Sequence, residues 1–88
     1  MKSYKFIISG KVQGVYYRVS VKNNAISLNY HGYVRNMPDG TVEACVTCHE
    51  SEVDNFINIL KKGSRNSHVT AIKQLECKSN FTKLFKVQ

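Results

Sequence analysis

Residues Gly10-Lys11-Val12-Gln13-Gly14-Val15-Tyr16-Tyr17-Arg18 follow directly on the apolar run Phe6-Ile7-Ile8. The pattern is that of a strand ending near Ser9 or Gly10, a short glycine loop, and a helix beginning near Arg18. Glycine at two loop positions lets the backbone turn tightly and come close to a ligand. Successive loop amides beside a helix N-terminus make a concave site for an anion, and the helix dipole adds positive potential. Arg18 adds a planar fork of donors that matches phosphate oxygens two at a time. The loop therefore reads as a holder of phosphate or a related dianion.

The elements that must position this loop can be read along the chain. Tyr4–Ser9 is a first strand, rich in aromatic and β-branched residues. Arg18–Leu28 carries Val21, Ala25 and Leu28 on one helical face, with weak intrinsic propensity, so packing must hold it. Asn29 suits a left-handed C-cap. Gly32–Asn36 is a second strand, Pro38-Asp39-Gly40 a tight turn, and Thr41–Cys48 a returning strand with Val42, Ala44 and Val46 on one face. Ser51 is the expected cap of a second helix, with Glu52 and Asp54 in its first turn. In that helix Val53, Phe56, Ile57 and Leu60 form an amphipathic stripe, and Lys61-Lys62-Gly63 closes it. A fourth strand is expected over Val69–Lys78, with Val69, Ala71, Leu75 and Cys77 sharing a face. A short final strand follows over Thr82–Val87. The order β-α-β-β-α-β, with that additional strand, predicts a ferredoxin-like α/β sandwich whose two helices cover one face of the sheet.

The chain of 88 residues, 42% of them hydrophobic, is expected to form one globular domain spanning residues 1–88. No apolar run approaches the roughly 20 residues that span a bilayer, and none at the N-terminus is long enough for a secretory signal. A cytoplasmic location is expected. Three cysteines make a poor disulfide framework, and free thiols in a reducing compartment are the simpler reading. Cys45 and Cys48 form a C-x-x-C, but in a strand they point to opposite faces, so no metal site is assigned. The formal net charge is +7, and Met1–Pro38 contains six Lys and Arg and no carboxylate. That half of the chain, with the glycine loop in it, concentrates anions.

Two stretches together carry a resemblance. Gly10-x-Val12-Gln13-Gly14-Val15-x-Tyr17-Arg18, followed by Gly32-Tyr33-Val34-Arg35-Asn36-x-x-Asp39-Gly40-x-Val42-Glu43, resembles the two signatures of the acylphosphatases. The resemblance covers essentially the whole chain. It implies a hydrolase that splits the carboxyl–phosphate anhydride of small acyl phosphates into carboxylate and inorganic phosphate. It also implies the ferredoxin-like fold and no metal or organic cofactor. By motif, Arg18 matches the phosphate-binding arginine and Asn36 the asparagine that orients the attacking water. Gln13, Gly14, Val15, Tyr16 and Tyr17 match the backbone cradle. Inorganic phosphate is expected as product and competitive inhibitor, and the protein as a monomer. Four positions depart from the family pattern: Tyr17 replaces phenylalanine, Asn29-Tyr30 replaces Gly-Leu, and Cys48 stands where glycine is common. If Tyr17 is buried, its hydroxyl must find a partner.

The chemistry is consistent on its own terms. An acyl phosphate has a carboxylate leaving group of low basicity, so positioning and charge stabilisation carry the reaction. A neutral asparagine can direct a water without ionising, and a phosphate oxygen of the substrate can take the water's proton. His31, His49 and His68 lack a motif and read as surface residues, while at least one of Tyr16 and Tyr17 is expected to turn into the core. The rival readings are an RNA-binding module and a regulatory anion-binding module on the same fold. RNA modules of this fold read bases with aromatics on the central strands, and Thr41–Val46 has none, which disfavours nucleic acid.

Overall fold

A computed structural model describes all residues, 1–88. The elements are β1 (Lys2–Lys11), α1 (Tyr17–Ser27), β2 (His31–Asn36), β3 (Val42–Cys48), α2 (Val53–Lys62), β4 (His68–Cys77) and β5 (Lys86–Val87). They build one five-stranded mixed sheet in the order β4-β1-β3-β2-β5. β1 and β2 both pair antiparallel with β3 and so run parallel to each other on its two sides. β4 pairs antiparallel with β1, and β5 parallel with β2. This is the ferredoxin-like arrangement, with a short fifth strand.

Alternation sorts the sheet residues into two faces. Phe6, Ile8, Val34, Val42, Ala44 and Val46 are fully buried against both helices. Phe56 of α2 is the hub of that layer, its ring 5.6 Å from Phe6, 5.7 Å from Tyr30 and 5.8 Å from Phe85. Burying a ring of this size stabilises the fold by roughly 1.5–3 kcal/mol. α1 contributes Tyr17, Val21 and Ala25 to the core. Leu28, expected on that face, lies beyond the last helical turn and is 54% exposed. It is displaced because the chain reverses there. Asn29 adopts φ 60°, and the amides of Asn29 and Tyr30 bond the carbonyls of Ile26 and Ala25, a Schellman closure. The expected left-handed cap at Asn29 is present.

Three expectations need correction. Ser51 does not cap α2: a 3-10 turn over Glu50–Glu52 runs straight into the helix, so the backbone at Ser51 is already helical and its side chain is exposed. Glu52 takes the N-cap position and accepts hydrogen bonds from Asn55 Nδ2 (2.9 Å) and the Tyr30 hydroxyl (2.8 Å). These bonds, Asn55 first, hold its carboxyl below the usual range.

The β4 residues Val69, Ala71, Leu75 and Cys77 do not share a face. Ser9 pairs with Ala71 but Gly10 with Val69, so Thr70 is an extra residue on β4 and the alternation flips across it. Val69 and Ile72 therefore both pack against the core, while Ala71, Leu75 and Cys77 lie on the face away from the helices. The final strand is only Lys86–Val87, with Leu84 bridging to His31. The preceding residues are used to cross the sheet from one edge to the other. Asn80 accepts from Ser3 Oγ, the Phe81 amide donates to Thr47 Oγ1, and the Phe81 ring meets Tyr33 edge-on at 5.5 Å. Cys45 and Cys48 point to opposite faces as expected: Cys48 joins the core, and the Cys45 thiol donates to the Tyr33 hydroxyl at 3.1 Å.

Gly10 makes the β4 irregularity possible. It has φ 127°, and a Cβ there would lie 2.1 Å from the His68 carbonyl oxygen. Backbone would have to move on one strand or the other. Gly10→Ala should lower stability by about 2–3 kcal/mol, read as an earlier urea midpoint with an unchanged m-value.

Candidate active site

The sheet register brings the two chemical segments together. Ile8 near the end of β1 and Asn36 at the end of β2 both pair with Val42, the first residue of β3. The glycine loop that leaves β1 and the asparagine that ends β2 thus emerge from the same end of the sheet, one on each side of β3. β5 is parallel to β2, so Gln88 arrives at that end as well, with its amide bonded to the Val34 carbonyl at 2.9 Å.

The loop is shaped by two left-handed residues, Gly14 (φ 72°) and Tyr16 (φ 60°). Glycine takes this conformation freely, but for a tyrosine it costs roughly 1–2 kcal/mol. Tyr16 is the N-cap of α1, and no side chain caps the amides of the first turn. No acidic residue lies there either. The positive end of the helix is therefore unneutralised and faces the loop.

Three tethers fix the loop. Gln13 Nε2 donates to the carbonyls of Met37 and Thr41, both at 2.9 Å. Met37 follows Asn36 directly, so this one side chain ties the glycine loop to the hairpin that carries the asparagine. Ser64 Oγ donates to the Val15 carbonyl. The Tyr17 hydroxyl, fully buried, donates to the Leu60 carbonyl at 2.7 Å. Leu60 lies in the last turn of α2, where carbonyls lack helical partners, and the buried hydroxyl satisfies one of them. Burial raises the Tyr17 pKa well above the usual tyrosine value, so the group remains a donor. The approach is close enough that a Cβ on Gly63 would stand 2.7 Å from the Tyr17 ring.

Arg18 is partly exposed at the start of α1, and its Nη1 donates to the Gln88 main-chain oxygen at 3.0 Å. That contact leaves other donors of the guanidinium fork free for a ligand. A cavity of about 430 Å³ opens beside it, lined by Val12, Gly14, Tyr16, Tyr17, Arg18 and Val19. Four of the expected site residues, Gly14, Tyr16, Tyr17 and Arg18, share this lining. Val15 turns inward and is buried, and the Gln13 side chain is turned to the hairpin. Asn36 is exposed at the end of β2, outside the lining, and leaves its amide to solvent.

Sequence reasoning gave no role to Val12, Val19 or Ser64. Val19 had a readable signal, an apolar residue off the buried stripe of its helix. Ser64 had none.

On the far face of the sheet, Glu43 secures the strands that end at the site. It is 5% exposed and accepts from the Tyr33 hydroxyl (2.6 Å) and Arg35 Nε (2.9 Å), with Lys5 Nζ at 4.0 Å. These partners come from β2 and β1, on either side of β3.

Known proteins resemble this chain in sequence and in fold. The family model described as Acylphosphatase matches residues 4–87. A protein named Acylphosphatase from Methanocella arvoryzae is 41% identical over 76 residues, covering 86% of each chain. The chain belongs to the acylphosphatase family. These are enzymes that hydrolyse acyl phosphates. The crystal structure of acylphosphatase from Bacillus subtilis superposes with a TM-score of 0.87 at 33% identity, over 100% of this chain and 99% of that one. An acylphosphatase structure from Coxiella burnetii gives a TM-score of 0.88 at 28% identity, over 99% and 92% of the two chains. An RNA-binding module on the same fold is not favoured by these matches. Tyr33 is also engaged by Phe81 and Glu43 rather than left bare for stacking.

The departures from the acylphosphatase pattern each have a local solution. The Tyr17 hydroxyl has Leu60, Asn29 takes the left-handed cap, and the Cys48 thiol fills core space. The tether at Gln13 is open to a near-isosteric test. Gln13→Glu keeps the shape but faces two carbonyls with a carboxylate that cannot donate. The expected result is a loss of about 1–3 kcal/mol in stability and at least a tenfold fall in kcat/KM for acetyl phosphate.

Proposed function

We propose that this chain hydrolyses small acyl phosphates, with Arg18 and the amides of residues 13–17 holding the phosphoryl group and Asn36 directing the attacking water. The observation that carries this reading is the Gln13 bridge. It couples the anion loop, with Arg18 at its end, to the hairpin residue next to Asn36.

The reaction needs little else from the protein. The water oxygen forms a bond to phosphorus as the bond from phosphorus to the acyl oxygen breaks. The electron pair of the broken bond stays on the carboxylate. One water proton remains on the attacking oxygen, and the other passes to a phosphoryl oxygen, giving dihydrogen phosphate. A low-basicity leaving group makes general-acid help unnecessary. Arg18 and the loop amides meet the charge on the phosphoryl oxygens, where fixed donors stabilise the transition state without reorganising. Asn36 accepts from and donates to water without a change of charge, so no neighbouring carboxylate or histidine is required as a base.

The same reading includes inorganic phosphate as product and competitive inhibitor, because it offers the same oxygens to the same donors. It also takes the active unit to be one chain, since one 18-residue core joins both helices and the sheet. A cytoplasmic setting agrees with three cysteines present as free thiols.

Steady-state hydrolysis of acetyl phosphate tests the assignment. Arg18→Ala should lose at least a hundredfold in kcat/KM through both terms, and phosphate inhibition should weaken in parallel. Asn36→Ala should lose kcat by a similar factor with phosphate inhibition retained. Across pH 5–8 the wild-type rate should not follow a histidine titration. A bell-shaped profile with a limb near the usual histidine pKa would instead demand a base from the protein.

A further inference from the structure

Tyr16 serves no evident purpose in folding. Its side chain is 81% exposed, its backbone is left-handed, and it packs into no part of the core. Glycine would hold the same conformation without steric cost. Val19, 44% exposed, is likewise outside the face of α1 that buries Tyr17, Val21 and Ala25. Both apolar side chains stand in the lining of the cavity beside Arg18, with the buried Val12 and Tyr17 below them. The entrance over Gly14 is open, since a Cβ placed there would meet nothing within 4 Å.

The volume of this cavity, about 430 Å³, lies within the range of roughly 300–1,000 Å³ found for pockets that hold small organic molecules. A phosphoryl group needs donors, which Arg18 and the loop amides supply. It has no use for four valine and tyrosine walls. An acyl phosphate has two unlike ends joined by one oxygen. With its anionic end on Arg18, its acyl end must leave the polar part of the site.

Resting on the acyl phosphate reading above, we infer that Tyr16 and Val19 form the acyl-group subsite and favour substrates with an aromatic or branched apolar acyl group. An acetyl group is too short to cover the Tyr16 ring, whereas a benzoyl ring can stack against it in an offset or edge-to-face geometry. Tyr16 is thus a specificity-determining residue through its side chain, apart from the contribution of its amide to the anion cradle.

The test compares kcat/KM for benzoyl phosphate and acetyl phosphate in the wild type, Tyr16→Phe and Tyr16→Gly. Glycine keeps the left-handed loop, so Tyr16→Gly should fold with an equal or higher thermal midpoint. The benzoyl-to-acetyl ratio should favour benzoyl in the wild type and be kept in Tyr16→Phe. In Tyr16→Gly it should fall five- to tenfold, about 1–1.4 kcal/mol of discrimination, with most of the change in KM for benzoyl phosphate. An unchanged ratio in Tyr16→Gly, or an equal loss on both substrates, would overturn the inference. Absence of turnover on either substrate by the wild type would be a different failure, overturning the acyl phosphate reading and this inference with it.

Discussion

Everything at the site depends on β3 being paired along both sides. Its seven residues are buried, and its first residue, Val42, is the common partner of Ile8 and Asn36. Because β1 and β2 oppose the same strand, they are parallel, and the loops that follow them leave from one end. The helices are a consequence of this constraint: each connects strands on the same side and closes the core over the sheet. The carboxylate of Glu43 acts from the opposite face, drawing Tyr33 and Arg35 of β2 and Lys5 of β1 toward β3. Such a buried carboxylate is tolerated because its oxygens are occupied.

The stiffness of the glycine loop is supplied from outside the loop. A strained tyrosine backbone at Tyr16 and an uncapped helix start at Tyr17 both disfavour the conformation locally. Gln13 and Tyr17 offset this through hydrogen bonds to the β2–β3 turn and to α2, and Ser64, just beyond α2, through one to the loop's Val15 carbonyl. The helix start is then left free to attract negative charge, which an acidic cap would have cancelled. Selecting the loop geometry by distant tethers keeps the near side of the loop empty for a ligand.

Much of this was legible from residue types. The glycines, Arg18, the Pro38-Asp39-Gly40 turn, the α2 stripe and the Asn29 cap all act through nearest neighbours, where local rules hold. The requirement that a buried Tyr17 hydroxyl find a partner was legible too, though not that Leu60 would provide it. What escaped was non-local. The flip of alternation in β4 is decided by where Gly10 meets the His68 carbonyl, and nothing within Val69–Cys77 signals it. The C-terminal segment reads as a strand over Thr82–Val87, but most of it must cross from one sheet edge to the other. Gln13 looks the same in sequence whether it faces a ligand or a hairpin. At Ser51 a good capping residue was overridden by a preceding helical turn.

The interposition of β3 also sets a ruler. Neighbouring strands are spaced by about 4.8 Å, so the backbones of β1 and β2 are held about 10 Å apart wherever both pair with β3. That interval is fixed by main-chain hydrogen bonds, and no side-chain substitution can change it. The distance between the root of the glycine loop and Asn36 is therefore built into the spacing of a β-sheet, and the side chains decide only what stands at either end of it.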